Sequence, residues 1–429
     1  MYNVFIYLYR LCVMIASHFN EKISKMWLGE HEAFEILRDK VDPNAEYVWF
    51  HAASLGEFEQ GRPIMERLRQ AHPEQKILLT FFSPSGYEVR KDYEGADIVC
   101  YLPLDTPTNA RHFLRLIRPV KAYFIKYEFW YNYLHILKHR EVPTYSVSSI
   151  FRPGQIFFRW YGKQYGRVLK CFTTFFVQNE QSRVLLSKLQ INNVDVTGDT
   201  RFDRVLQIKE SAKQLPVVEA FSNQQSVIVA GSTWPPDEDI LILFLQSHKG
   251  WKLILAPHVI DENHLQQIES KVRKTAILPL TPSSIEGEPV PGDAQTQILK
   301  VVRYTQASLE SVSQANVLII DCFGLLSSIY GYGQVAYVGG GFGVGIHNLL
   351  EAAVWNVPVF FGPNNQRFRE AQELKVCGGG IEISTFEDFE REMLRFISHP
   401  DELIKSGEQA GQYVKGNSGA TERILKNTL

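Results

Sequence analysis

The sequence predicts an α/β protein of two successive doubly wound domains around a central cleft. Three observations predict it. Apolar runs of strand length alternate with helical patterns through the first half of the chain; a polar stretch at 211–225 interrupts them; the alternation then restarts. The length agrees, since 429 residues suit about two domains.

The chain opens with residues 1–22, which contain no acid before Glu21 and are mostly apolar, with Arg10 interrupting the run. A spanning helix wants about 20 apolar residues without a central charge, and a secretory signal places basic residues before its apolar run. The segment therefore reads as a membrane-associated interfacial helix with Arg10 snorkelling. The alternative is a helix buried in the first domain.

Residues 23–210 form the first domain. Its strands are expected at Tyr47–His51, Lys76–Phe81, Ile98–Leu102, Ala122–Ile125, Thr144–Val147, Thr174–Val177 and Val194–Val196. Gly61–Ala71 and Thr108–Leu116 have helical spacing. Residues 211–225 read as a linker or connecting helix. The second domain, 226–429, has expected strands at Ser226–Ala230, Lys252–Ala256, Ala276–Pro279, Val317–Ile320, Gln334–Val338 and Val357–Phe361, with a surface loop at Thr281–Gly292.

Composition narrows the class. Apolar content of 45% is that of a soluble globular chain, and a net charge of −2 supplies no global field for nucleic acid. The cysteines Cys12, Cys100, Cys171, Cys322 and Cys377 are scattered without a C-x-x-C pair, which argues against a disulfide framework or zinc site and suits a reducing cytoplasm.

Chemistry-bearing residues gather at strand ends. In His51-Ala52-Ala53-Ser54-Leu55-Gly56-Glu57, a carboxylate follows a strand on a turn into a helix, where open α/β sheets place chemistry. Glu57 also reads as a first-turn helix acid favoured by the macrodipole. Lys126-Tyr127-Glu128-Phe129-Trp130-Tyr131-Asn132 sets Glu128 at another strand end, as a catalytic group or as a partner for Lys126 or Arg152. Arg201 can hold an anion, or be neutralised by Asp199 and Asp203.

In the second domain, Gly231-Ser232-Thr233-Trp234 turns out of the first strand. The run from Gly339 to Gly345 places five glycines in seven positions before His347-Asn348-Leu349-Leu350-Glu351, which suits close approach to a ligand. It matches neither a dinucleotide fingerprint nor a P-loop. Asn348 and Glu351 also have capping-box spacing. Val142–Asn179 lacks acids and interleaves Arg152, Arg159, Lys163, Arg167 and Lys170 with aromatics. That suits a phosphorylated lipid at a membrane surface, single-stranded nucleic acid, or a solvated helix face over a core stripe.

In order along most of the chain, these residues resemble the bacterial 3-deoxy-D-manno-octulosonic acid (Kdo) transferases of lipid A synthesis. The family's H-A-x-S-x-G-E segment is His51–Glu57, its E-x-E-x-W-x-N segment is Lys126–Asn132, and its K-F-D segment is Arg201-Phe202-Asp203. Its G-G-H-N-x-x-E segment ends at His347–Glu351, followed by Pro358-Val359 and Gly362-Pro363.

The resemblance implies a GT-B architecture of two Rossmann-like domains, with the acceptor bound by the first and the CMP-sugar by the second. It implies inverting transfer of Kdo from CMP-Kdo, a co-substrate, to lipid IVA, without metal or cofactor, at the cytoplasmic face of the bacterial inner membrane. Glu57 would be the general base, with Glu128 and Arg201 stabilising the transition state. For CMP the resemblance implies Pro257, His258, Gly324, Leu325, Leu326, Asn348, Leu349, Leu350 and Glu351. The chain departs from the family at Lys126 (Glu), Arg201 (Lys), Pro257 (Arg) and Leu325 (Glu). The alternatives are a GT-B transferase with another nucleotide-sugar donor and an inactive sugar-nucleotide-binding protein. A nucleic-acid binder is disfavoured by the charge.

Overall fold

The computed structural model describes residues 2–274 and 299–429. The expected strand Ala276–Pro279 and loop Thr281–Gly292 lie outside the described residues. The chain divides into two compact units, Met1–Arg204 with Asn417–Leu429, and Val205–Gly416.

The first unit carries β1 (Tyr47–Ala52), β2 (Lys76–Phe81), β3 (Ile98–Tyr101), β4 (Pro119–Ile125), β5 (Thr144–Ser149), β6 (Thr174–Val177) and β7 (Val194–Val196). They form one parallel sheet in the order β3-β2-β1-β4-β5-β6-β7. Order reverses at β1 and β4, the switch point at which such sheets hold ligands beyond their strand ends. Side chains of β1 serve two cores: Tyr47 and Trp49 enter one, Val48, Phe50 and Ala52 the other. That two-sided burial produces the continuous apolar run in the sequence.

The second unit carries β8 (Ser226–Thr233), β9 (Trp251–Pro257), β10 (Val301–Arg303), β11 (Val317–Ile319), β12 (Val335–Val338), β13 (Val359–Phe361) and β14 (Gly380–Glu382). Its parallel sheet runs β10-β11-β9-β8-β12-β13-β14, and order reverses at β8 and β12. Both units are thus doubly wound and Rossmann-like, the GT-B pattern. The edge strands β10 and β14 were not expected from the sequence.

Of the two readings of 211–225 the structure shows the helix, and the C-terminal segment departs from the domain bound read in the sequence. Residues 211–225 contain a helix, Pro216–Ser222, whose Val218 and Phe221 are buried. Lys252 donates from Nζ to the Phe221 carbonyl at 2.7 Å, tying this helix to β9. The C-terminal segment leaves the second unit: Ile424 and Leu425 enter the core that holds Phe50 and Ile64. Asp203 fixes the return, accepting from Thr421 N at 2.6 Å and Thr421 Oγ1 at 2.7 Å.

The N-terminal helix, Tyr2–Ala16, buries only Val13. Tyr2 and Asn3 anchor it through bonds to Asp105 (2.7 Å) and Asn132 (2.9 Å). Arg10 lies over the Trp27 ring at 5.8 Å, facing the next helix, Glu21–Lys40, rather than reaching outward. Among the described residues no helix is long and apolar enough to cross a membrane.

Candidate active site

Glu57 and Glu128 leave the C-terminal ends of β1 and β4, the adjacent strands of the first switch point. Glu57 sits in the first turn of the helix Leu55–Ala71, and its Oε2 accepts from Ala53 N–H at 2.6 Å. This bond reaches back one residue beyond the N-cap Ser54 and ties the first turn of the helix to the end of β1. The helix-end reading of Glu57 is therefore correct as far as it goes. Burial, then the negative charge of Glu128, pushes its carboxyl up to about 7; the Ala53 N–H and Lys126 oppose the rise. A carboxylate near neutral pKa is matched to general-base work.

Glu128 Oε2 accepts from Trp130 Nε1 at 2.6 Å and lies 3.0 Å from His51 Nε2. The backbone around it is strained: Lys126 has φ 60° and Ser148 has φ 55°, left-handed values unusual for residues with a Cβ. Lys126 N–H donates to Val147 O at 2.8 Å, and Ser149 Oγ donates to Lys126 O at 2.9 Å, which holds the turn.

Arg201, in the first turn of the helix Thr200–Glu210, is clamped by Asp199. Its Nε donates to Oδ2 at 2.8 Å and its backbone N–H to Oδ1 at 2.9 Å. Asp203 takes no part in that clamp, being spent on Thr421. Glu57, Arg152, Asp199 and Arg201 all act electrostatically on the Tyr127 hydroxyl, whose pKa is raised chiefly by burial. The fold thus gathers Glu57, Arg152, Asp199 and Arg201 around Tyr127 and brings Glu128 near Glu57.

The second unit repeats the arrangement with different chemistry. Pro257 ends β9, and His258 N–H donates to Thr233 O at 2.9 Å. The His258 ring stacks on Trp234 (5.1 Å) and on His347 (4.3 Å). His347 Nε2 accepts from Trp234 Nε1 at 3.3 Å. Burial, then neighbouring His258, holds the His347 pKa below its ordinary value, consistent with a neutral acceptor ring.

Gly324, with φ 89°, has open space where a Cβ would stand. Leu326 packs against Gly231, where a Cβ would meet its methyls at 2.8 Å. Glu351 joins the remaining parts: its carboxylate accepts from Ser327 Oγ at 2.8 Å and Asn348 Nδ2 at 2.9 Å. Leu349 and Leu350 are fully buried, main chain included. The helix after Asn348 is the single turn Leu350–Ala353, too short for a sizeable dipole.

The glycine run has a packing explanation that the sequence reading missed. A Cβ on Gly339 would meet Ser232 O at 2.4 Å, and one on Gly341 would meet the Gly362 backbone at 2.6 Å. Gly340 and Gly345 have φ 92° and 106°. Only Gly343 of the five faces open space. The acid-free stretch also divides: Phe151 and Phe157 are core, whereas Trp160 is 84% exposed beside exposed Arg159. His51, Thr80, Trp130, Trp234 and His347 received no role from sequence. A lone polar residue within the apolar run of β1 was the available signal for His51.

Comparison with known proteins gives the class. The family described as 3-deoxy-D-manno-octulosonic-acid transferase (kdotransferase) matches residues 29–204, within the first unit. A curated 3-deoxy-D-manno-octulosonic acid transferase of Aquifex aeolicus is 25% identical, over 86% of this chain and 92% of its own length. One from Bordetella pertussis is 26% identical, over 89% of this chain and 87% of its own. Among solved structures, the UDP-GlcNAc 2-epimerase of Neisseria meningitidis superimposes with a TM-score of 0.59 at 16% identity, covering 89% of this chain and 98% of that one. Fold and similarities together define a chain of GT-B type. It is similar, at 25–26% identity, to the Kdo transferases of those two bacteria.

Proposed function

We propose that the protein is an inverting glycosyltransferase that transfers Kdo from CMP-Kdo to lipid IVA at the cytoplasmic face of the inner membrane. The observation that carries this reading is Glu57: a carboxylate at a switch-point strand end, tuned to about 7, in a segment matched by the kdotransferase family. In the reaction, Glu57 takes the proton of the acceptor hydroxyl. The hydroxyl oxygen bonds to the anomeric carbon from the face opposite the leaving group, and CMP departs with the electron pair of the broken bond. Glu128 places negative charge where oxocarbenium-like charge builds, and Arg201 supplies a fixed cation for the anionic groups.

On this reading, His258 and the Gly324–Leu326 and Asn348–Glu351 segments meet the nucleotide. A stacked imidazole pair beside Trp234 offers flat faces to a base, and Gly324 admits a ligand close to the backbone. The helix Tyr2–Ala16 supports membrane contact: Val4, Phe5, Leu8, Leu11 and Ile15 are exposed at helical spacing along one face.

The test is a transfer assay with CMP-Kdo generated in situ, lipid IVA and detergent-solubilised protein, read by mass spectrometry. Product heavier by one or more Kdo units is the expected result. No product beside an active control transferase overturns the reading. The substitutions at Lys126, Pro257 and Leu325 favour, as the second reading, a GT-B transferase with another nucleotide-sugar donor. Donor profiling in the same assay separates the two.

A further inference from the structure

Glu128 is held from behind by a histidine that solvent does not reach. His51 is fully buried and lies opposite Thr80 of β2 in the parallel register. Its Nδ1 is 2.9 Å from Thr80 Oγ1 and its Nε2 is 3.0 Å from Glu128 Oε2. Trp130 packs edge-on against the ring at 5.5 Å, and Phe124 does so at 5.8 Å. The imidazole is thus fixed in place by bonds at both nitrogens and rings on two sides.

Counting protons fixes its orientation. Thr80 Oγ1 accepts from Trp49 Nε1 at 2.8 Å, which occupies one lone pair. Its own proton goes either to His51 Nδ1 or to Phe50 O at 3.3 Å. In the first arrangement the neutral ring carries its proton on Nε2. The Phe50 contact is the long one, so the first arrangement is favoured, and in it Nε2–H donates to Glu128 Oε2. That oxygen also takes Trp130 Nε1, so two N–H donors converge on it and fix its orientation.

We propose that His51, braced by Thr80, is a positioning residue for the transfer reaction: it fixes Glu128 as an oriented carboxylate beside Glu57. This rests on the role given to Glu128 above. Electrostatics support it, because the Glu128 charge is felt at Glu57. A histidine that merely filled the sheet would need no donor aimed at that carboxylate and no hydroxyl behind it.

The experiment uses the full chain labelled with ¹⁵N-histidine, together with His51→Gln, His51→Leu, Thr80→Val and Glu128→Gln. The His51 resonance is identified by its loss in His51→Gln. It should show a protonated Nε2 that shifts in Glu128→Gln. In the transfer assay, His51→Leu should lower kcat about 10- to 100-fold at unchanged KM for the donor, the scale of a misplaced catalytic group. His51→Gln, which can present an amide N–H to Glu128, should recover most of the loss; Thr80→Val, which keeps the volume, should fall between. An unprotonated Nε2, wild-type turnover in His51→Leu, or His51→Gln as slow as His51→Leu would overturn the proposal. A wild-type chain that transfers nothing defeats the transferase reading instead, while the NMR arm still decides the His51–Glu128 link.

Discussion

Glu57 and Glu128 stand at the ends of adjacent parallel strands, and the charge of Glu128 helps lift the Glu57 carboxyl to about 7. A general base works deprotonated, so kcat/KM should climb through about pH 7 on its acid side. Glu128→Gln removes one cause of the rise, and the climb should move to lower pH. An unmoved profile in that variant would mean that the two carboxyls do not communicate.

The same tuning makes a prediction about stability. The Glu57 carboxyl is raised from 4.5 to about 7 in the folded state, so folding favours its protonated form. That contribution is complete below pH 4.5 and is lost as pH rises through about 7. Glu57→Gln cannot ionise. It should melt above wild type at pH 8 and show no such advantage at pH 4, while turnover falls at least ~100-fold with CMP-Kdo binding retained. Near-normal turnover would remove Glu57 from the mechanism.

Gly341 and Gly343 separate packing from ligand approach. A Cβ at Gly341 would stand 2.6 Å from the Gly362 backbone, whereas Gly343 faces open space. Gly341→Ala should cost about 1–3 kcal/mol, the usual scale of overpacking. Gly343→Ala should stay within about 0.5 kcal/mol. Urea titrations of both variants decide it; equal stabilities would refute the packing explanation.

Asp203 should matter for stability and little for the donor. It accepts from Thr421 through both backbone and hydroxyl, at the start of the helix Ala420–Lys426. Asp203→Ala should destabilise the chain by about 1–2 kcal/mol, as loss of a helix cap does. The donor KM should be unchanged once folded protein is counted. A raised KM at full stability would instead assign Asp203 to the substrate.

The exposed face of the N-terminal helix gives a separate test of membrane contact. Phe5 and Leu8 are 66% and 56% exposed. Substituting both by Glu should abolish co-sedimentation with anionic vesicles and leave the melting temperature near that of wild type. Unchanged sedimentation would exclude this face as the contact.

Much of this was legible in the chain because strand burial on two faces writes itself as apolar runs: β2 and β6 fall at the expected residues. The chemistry-bearing turns after β1 and β4 were legible for the same reason, since a polar residue at the end of such a run has few other places to go. The packing demands on Gly339 and Gly341 were not, because Ser232 and Gly362 approach them from distant parts of the chain. Nor was the brace behind Glu128. It depends on register, which sets His51 opposite Thr80, and on a turn that carries Glu128 back over β1.

The sequence by itself determined the two α/β sheets and which strand ends carry carboxylates, rings and glycines, because hydrophobic period and turn chemistry are local properties. Only the tertiary structure decided what those residues do to one another. It set Glu128 beside Glu57, turned Asp203 onto the returning C-terminus, and stacked His258 on His347. Those pairings depend on strand order and register, which bring together residues far apart in the chain and have no local signature.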